Sequence, residues 1–441
     1  MLRPSKYNHI CFNDDGELLI ANMYSNKMCK VSQDNAEYAT EILRKEYISE
    51  EDDLILKMQK AGVLIDSEED EDIRLKGSYL EEQSKPILLL TILPTEQCNF
   101  RCVYCPEEFS RGKMSEEVQK AIIRYVRQNI NAYTGLRVSW FGGEPLLAMD
   151  VIAHLSIEFM KICKSAHRSY TAGITTNAYR LTYDVFRELL SYNVLSYQIT
   201  LDGLKRTHDA QRMLINKNPT YETIVKNLIE IHEKSKSGKF VILLRTNFTQ
   251  SMIPDIPEYF AWYNKKFAKD KRFRVFAKMA GDYGGERVCS MKDELIRQNQ
   301  RTGEFFEAII RSDIHELRFA NRSFFARNGA ICDASRKNAM VIDSEGTVRK
   351  CACHLNDDKG NKLGNVLDLN SLQERKSGRM RWSTLNLSPQ CKECFFVPVC
   401  MGMTCVYANI KYGYACCPEE KIYIDDYFKL FDRQGMFGYI D

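Results

Sequence analysis

Cys98-Asn-Phe-Arg-Cys102-Val-Tyr104-Cys105 sets three thiols within eight residues, in CxxxCxxC spacing. Three thiolates on one tight loop can hold three irons of a cubane [4Fe–4S] cluster and leave the fourth iron open. An open iron is a place to bind a substrate or a second cofactor. Zinc and chance are the other readings. Zinc sites usually come as paired CxxC units with four ligands, and no fourth ligand lies nearby in the chain. A second set follows far downstream. Nine of the sixteen cysteines fall between 332 and 417: Cys332, Cys351, Cys353, then Cys391-x2-Cys394-x5-Cys400-x4-Cys405, then the adjacent Cys416 and Cys417. Two zinc sites would need eight ligands there, and His354 could join them. Iron–sulfur is favoured because the chain already carries one cluster loop. Cys11, Cys29, Cys163 and Cys289 each stand alone and read as buried thiols.

The elements around the first motif are those of an α/β protein. An apolar run at 86–96 reads as a strand leading into the cysteines, and an amphipathic helix starts at Ser115. Strands at 136–141, 171–176, 194–201, 240–246 and 272–278 alternate with helical patterns at 150–166, 182–192, 221–236, 255–268 and 291–311. Strands separated by helices argue for a parallel sheet with right-handed crossovers. Polar residues cluster at the strand ends. Gly142-Gly143-Glu144-Pro145 follows the second strand, Thr175-Thr176-Asn177 the third, and Gln198-Ile-Thr200-Leu-Asp202-Gly203 the fourth, continuing through His208, Asp209 and Arg212. Arg245 and Asn247 close the fifth. Glycines allow a ligand close to the backbone. Asp202 also reads as a helix cap or turn former.

Taken together, the CxxxCxxC loop after a strand, the aromatic Tyr104 before its last cysteine and the Gly-Gly-Glu-Pro segment resemble the radical S-adenosylmethionine (SAM) enzymes. The resemblance implies a partial (βα)6 barrel of TIM type over 86–310, with its chemistry at the loops following the strands. In that family the free iron chelates SAM, one electron splits it, and the 5′-deoxyadenosyl radical takes hydrogen from a substrate. Catalytic Cys98, Cys102 and Cys105 would be joined at the cofactor by Tyr104, Gly142, Gly143, Glu144, Pro145, Thr176, Asn177, Gln198, Thr200, Asp202 and Arg212.

The downstream cysteines resemble a SPASM domain, expected over 311–420 and followed by an aromatic C-terminal cap at 421–441 that packs on it. That resemblance implies two auxiliary [4Fe–4S] clusters, three in all. Cys332, Cys351 and Cys405 would bind the first. Cys391, Cys394, Cys400 and one of Cys416 or Cys417 would bind the second. The first lacks an obvious fourth thiolate: Cys353 would serve, or an iron stays open to a substrate cysteine. Residues 1–85 hold two strands around a Ser-Asn turn, then helical patterns at 34–45 and 49–61. This winged-helix-like module resembles the leader-binding element of peptide maturases. The acidic run at 67–72 reads as a solvated linker, and the basic run 265–278 as a solvated face.

Net charge is +3 and 44% of residues are apolar, so the chain can bury a core and gives no reason to expect nucleic acid as a partner. It contains no signal-type apolar run and no membrane-length one, so the expectation is a cytoplasmic protein with no membrane contact. The expected activity is thioether crosslinking of a ribosomally made precursor peptide bearing a leader, with a flavodoxin- or ferredoxin-type reductant. Carbon–carbon crosslinking and residue oxidation are alternatives. So is an electron carrier without SAM chemistry, against which the Gly-Gly-Glu-Pro segment argues. Sulfatase maturases place an aspartate after the second SPASM cysteine, where this chain has Ala352.

Overall fold

The computed structural model describes residues 1–441 except 283–285, 298, 299, 313, 315–317, 320, 357 and 375. Two compact units emerge. One combines Met1–Lys85, Asn321–Arg336 and Trp382–Asp441; the other combines Pro86–Ala320 and Lys337–Arg381. The chain passes from the first unit to the second between residues 85 and 86, and the cysteine-rich region is divided between the units.

In the first unit β1 (Leu2–Pro4) pairs antiparallel with β5 (Leu64–Asp66), while β2 (Asn8–Phe12), β3 (Leu18–Asn22) and β4 (Lys27–Val31) form an antiparallel meander. Helices Gln33–Ile42 and Asp53–Lys60 pack Ala39, Ile42, Ile55 and Met58 against Leu18, Ile20 and Val31. The acidic run departs from expectation. It enters the helix Glu71–Ser84, capped by Asp70, and Glu71 is buried. Its carboxylate accepts from Arg3 Nη1 at 2.9 Å and Ser5 Oγ at 2.6 Å, which offsets the cost of burying the charge.

In the second unit six parallel strands lie side by side in chain order: β6 (Ile87–Ile92), β7 (Gly135–Trp140), β8 (Ser169–Thr176), β9 (Val194–Thr200), β10 (Val241–Phe248) and β11 (Phe273–Met279). Helices such as Glu116–Asn129, Met149–Ser165 and Tyr221–Lys234 connect them. Burial alternates along β6, β8 and β11, so one face is sealed by the helices and the other carries Thr175 and its neighbours toward the site. The helical run expected at 291–311 is a helix only over Thr302–Ile310, and its positions 298 and 299 lie outside the described residues.

The hairpin of the cysteine-rich region does not stand apart. β12 (Ala339–Ile342) adds parallel to β6, followed antiparallel by β13 (Thr347–Arg349) and β14 (Lys362–Asn365), making nine strands. The unpaired edge of β6 takes up the hairpin: Leu89 N–H donates to Asn338 O at 3.1 Å and Leu93 N–H to Ile342 O at 2.9 Å. The C-terminal run touches both the 311–420 segment and the N-terminal sheet. Helix Ile424–Arg433 packs its rings on Phe325, and β15 (Gly438–Tyr439) pairs with β4, so the run completes the N-terminal sheet. No described helix is long and apolar enough to cross a membrane.

Candidate active site

The cysteine loop leaves β6 and is tied at its neck. Gln97 Nε2 donates to Phe109 O at 2.7 Å and Arg111 O at 2.8 Å, and Arg111 Nη1 pairs with the buried Glu96 at 2.8 Å. Its crest is fastened to the segment after β9: Arg101 N–H donates to Met213 O at 2.9 Å and Val103 N–H to Gln211 O at 3.0 Å. Cys98, Cys102 and Cys105 consequently line one cavity of 430 Å³. Burial lifts the Cys98 thiol to about 12 and the Cys105 thiol to about 11, and raises Cys102 as well. Such thiols become thiolates when iron displaces the proton.

The Gly-Gly-Glu-Pro segment lies directly against this loop. Gly142 has φ +118°, and a Cβ there would stand 2.3 Å from Thr95 O; one on Gly143 would stand 2.4 Å from Gln97 O. Only glycine permits that approach. Both glycines line the cavity, while Glu144 and Pro145 are buried and do not. The Glu144 carboxylate accepts from Thr176 Oγ1 at 2.7 Å and from the Asn177 N–H at 2.7 Å, so it fixes the turn after β8. Burial raises its pKa, against those hydrogen bonds. Thr175, Thr176, Asn177, Gln198 and Thr200 all line the cavity.

Asp202 belongs behind the cavity wall. Fully buried, it accepts from the Asn247 N–H at 2.8 Å and from the Tyr104 hydroxyl. Arg212 Nη1 donates to the Tyr104 hydroxyl at 2.6 Å, and Arg212 Nε, 3.9 Å from Asp202, makes no hydrogen bond. Burial alone would lower the Arg212 pKa; Cys102, Tyr104 and Asp202 together raise it, so the guanidinium stays charged. His208 holds this corner in register. Its Nδ1 accepts from the Asp202 N–H at 3.1 Å, its Nε2 donates to Thr220 Oγ1 at 3.1 Å, and Thr220 Oγ1 donates to Arg212 O at 2.6 Å. Burial pushes the His208 pKa down to about 3, so the ring is neutral.

Arg245, Asn247, Ala352 and Cys353 also line the cavity. A hydrogen bond from Cys351 lowers the Cys353 thiol to about 7, with the Arg245 charge adding to it. Sequence reasoning passed over Glu107 and Phe109. Glu107 lies on the cavity wall, and burial, with Glu96 and Cys353 nearby, lifts its carboxyl to about 7. Its one signal was its place two residues after Cys105.

In the first unit the cysteines of the second set fall into two neighbourhoods. Cys391, Cys394 and Cys417 surround Cys400, whose thiol burial pushes up to about 12. Cys416 is hydrogen-bonded to Cys405, and Cys332 N–H donates to Met403 O at 3.1 Å. Among the described residues no group of three or more His, Cys, Asp or Glu is arranged around a single metal ion. The irons of a cubane are each held by one thiolate, which is the arrangement three cavity-facing thiols on one loop offer. The charged Arg212 on the cavity wall and the two glycines beside the loop fit an anionic, closely approaching ligand.

Residues 92–260 match the model of the Radical SAM superfamily. The chain is 22% identical to the cysteine-type anaerobic sulfatase-maturating enzyme of Clostridium novyi (strain NT), over 72% of this chain and 87% of that protein. It is 25% identical to the GTP 3′,8-cyclase of Clostridium botulinum (strain Langeland), over 66% and 88%. Among solved structures it resembles native anSMEcpe with bound AdoMet, at a TM-score of 0.58 and 19% identity, covering 79% of this chain and 96% of that one. This likeness is one of fold.

Proposed function

We propose that this chain, a radical SAM enzyme by its domain at 92–260, modifies a ribosomally made precursor peptide by closing a thioether between a substrate cysteine and an acceptor carbon. The observation that carries this reading is one cavity lined at once by Cys98, Cys102, Cys105, Arg212 and the Ala352-Cys353 turn. It brings cluster ligands, a cofactor-binding cation and one thiol of the second cysteine set to a single reaction space. The relative named as a cysteine-type sulfatase-maturating enzyme supports a cysteine-bearing polypeptide as substrate.

In this reading Cys98, Cys102 and Cys105 hold the SAM-binding cluster, which on one-electron reduction supplies a 5′-deoxyadenosyl radical from SAM. Arg212, on the cavity wall, holds the SAM carboxylate. Tyr104 is braced between Arg212 and Asp202, and so keeps the loop at a fixed depth. Gly142 and Gly143 leave their backbone open to the SAM amino group, and Thr176, Asn177, Gln198 and Thr200 face the ribose side. Glu144, Pro145 and Asp202 position these residues without touching SAM. Two auxiliary clusters take the ligand sets read from the sequence, residues 1–85 take the leader, and a flavodoxin- or ferredoxin-type protein is the reductant.

A second reading, oxidation of a peptide cysteine, is favoured by the named relative. Against it, Ala352 places a methyl group in the cavity, so the position offers no base. The test is mass spectrometry of a cysteine-containing precursor peptide incubated anaerobically with enzyme, SAM and reductant, then alkylated. Loss of two hydrogens per link with the cysteine no longer alkylated is expected. Loss of two hydrogens with an alkylatable cysteine would overturn thioether formation in favour of carbon–carbon crosslinking. Conversion of the cysteine to an aldehyde would establish oxidation.

A further inference from the structure

The adjacent Cys416 and Cys417 leave one question open: a single cysteine was expected there, and a cluster elsewhere was one thiolate short. The geometry of the first unit separates the two. Cys417 precedes Pro418, which disfavours helical backbone at Cys417 and keeps the segment extended. Successive side chains of an extended segment leave it on opposite sides. On one side, Lys421 Nζ donates to Cys417 Sγ at 3.5 Å and also to Cys394, and Cys417 is among the thiols around Cys400. Gly402, where a Cβ would lie only 3.4 Å from Cys391 Sγ, lets the chain close over this group. On the other side Cys416 bonds Cys405. The Cys332 N–H to Met403 O bond brings Cys332 to the same short stretch of chain.

We propose that the pair is shared between two clusters: Cys417 completes the one held by Cys391, Cys394 and Cys400, and Cys416 supplies the missing thiolate of the one that holds Cys332 and Cys405. This rests on the reading of these cysteines as cluster ligands. Its consequence reaches the mechanism. With Cys416 added to the three thiolates read from the sequence, Cys332, Cys351 and Cys405, the cluster needs no substrate sulfur as a ligand, and Cys353 is left to face the reaction cavity it lines. A substrate cysteine is then handled in that cavity and not on an auxiliary iron.

The test isolates one auxiliary cluster at a time in the full-length, anaerobically reconstituted protein. The Cys391→Ala/Cys394→Ala background removes the cluster of Cys417 and should retain about 8 iron of the roughly 12 in wild type. Adding Cys416→Ala is expected either to bring iron to about 4 or to make the remaining auxiliary EPR signal respond to cyanide, with SAM in excess to occupy the open iron of the first cluster. Adding Cys417→Ala or Cys353→Ala should do neither. A silent Cys416→Ala, or a Cys353→Ala that behaves as Cys416→Ala should, overturns the proposal. Where that background does not fold, Cys332→Ala/Cys405→Ala serves in mirror image: Cys416→Ala is then silent and Cys417→Ala costs the second cluster; the reverse overturns the proposal. A wild-type protein holding only about 4 iron would instead sink the auxiliary-cluster reading on which the proposal stands.

Discussion

Arg212 is fixed by three partners of opposite character: a phenol, a carboxylate and, through its own carbonyl, the Thr220 hydroxyl. A planar fork that bonds Tyr104 while lining the cavity cannot be replaced by a point charge. Arg212→Lys is therefore expected to keep cluster iron at the wild-type level while raising the KM for SAM about tenfold, a loss of about 1.4 kcal/mol. An unchanged KM measured by deoxyadenosine release would remove Arg212 from the cofactor site. His208 makes a separate prediction. Its folded pKa of about 3 lies below that of an exposed histidine, so the folded state binds fewer protons than the unfolded one. Its contribution to stability is thus fully present above about pH 6.5 and is lost as pH falls toward 3, costing about 2 kcal/mol by pH 5. Urea midpoints should fall between pH 7 and 5 in the wild type, and fall less in His208→Gln. Most of this corner was legible as residue types. Gln198, Thr200, Asp202 and Arg212 stand out as polar groups at a strand end. Their division into cavity wall and support was not, because Asp202 and Thr200 differ only by which side of the turn they leave.

At the scale of elements, the segment 95–97 acts as the meeting point of the cysteine loop, the loop's return through Arg111 and the Gly-Gly-Glu-Pro turn. Gly143 N–H donates to Thr95 O at 3.3 Å and Glu144 N–H to Gln97 O at 2.9 Å. A methyl group at residue 143 has backbone oxygens of Gln97 and Glu96 at 2.4 and 2.5 Å, and backbone cannot swing aside as a side chain would. Gly143→Ala is expected to lower the melting temperature and to cut SAM cleavage at least tenfold. A variant with wild-type melting and cleavage would show that the two segments are not packed as described. The six strand–helix units were readable because each strand has apolar residues of period two bounded by polar turns. The addition of β12 to β6 was not readable. It is a parallel pairing between strands about 250 residues apart, and nothing local marks which edge a hairpin will join. The 67–72 run was misread for a related reason: Glu71 looks solvated until Arg3 and Ser5, far away in sequence, are brought to it.

Across the whole chain, cysteine placement carries more functional information than composition or charge. The spacing Cys98-x3-Cys102-x2-Cys105 reads as three cluster ligands on one loop, and all three thiols line one cavity. The division of the second cysteine set between two compact units was hidden, since Cys351 and Cys353 follow the hairpin that joins the parallel sheet while Cys332 and residues from Cys391 onward belong with the N-terminal segment. The proposed function stands on the three thiols of the loop supporting, together with Arg212, the cleavage of SAM. The most direct measurement is 5′-deoxyadenosine release from SAM by anaerobically reconstituted protein under reduction, for the wild type and for Cys98→Ala side by side. Release by the wild type and loss to background in Cys98→Ala are expected. Release that persists in Cys98→Ala, or none from a wild type with its iron in place, would contradict the proposed function.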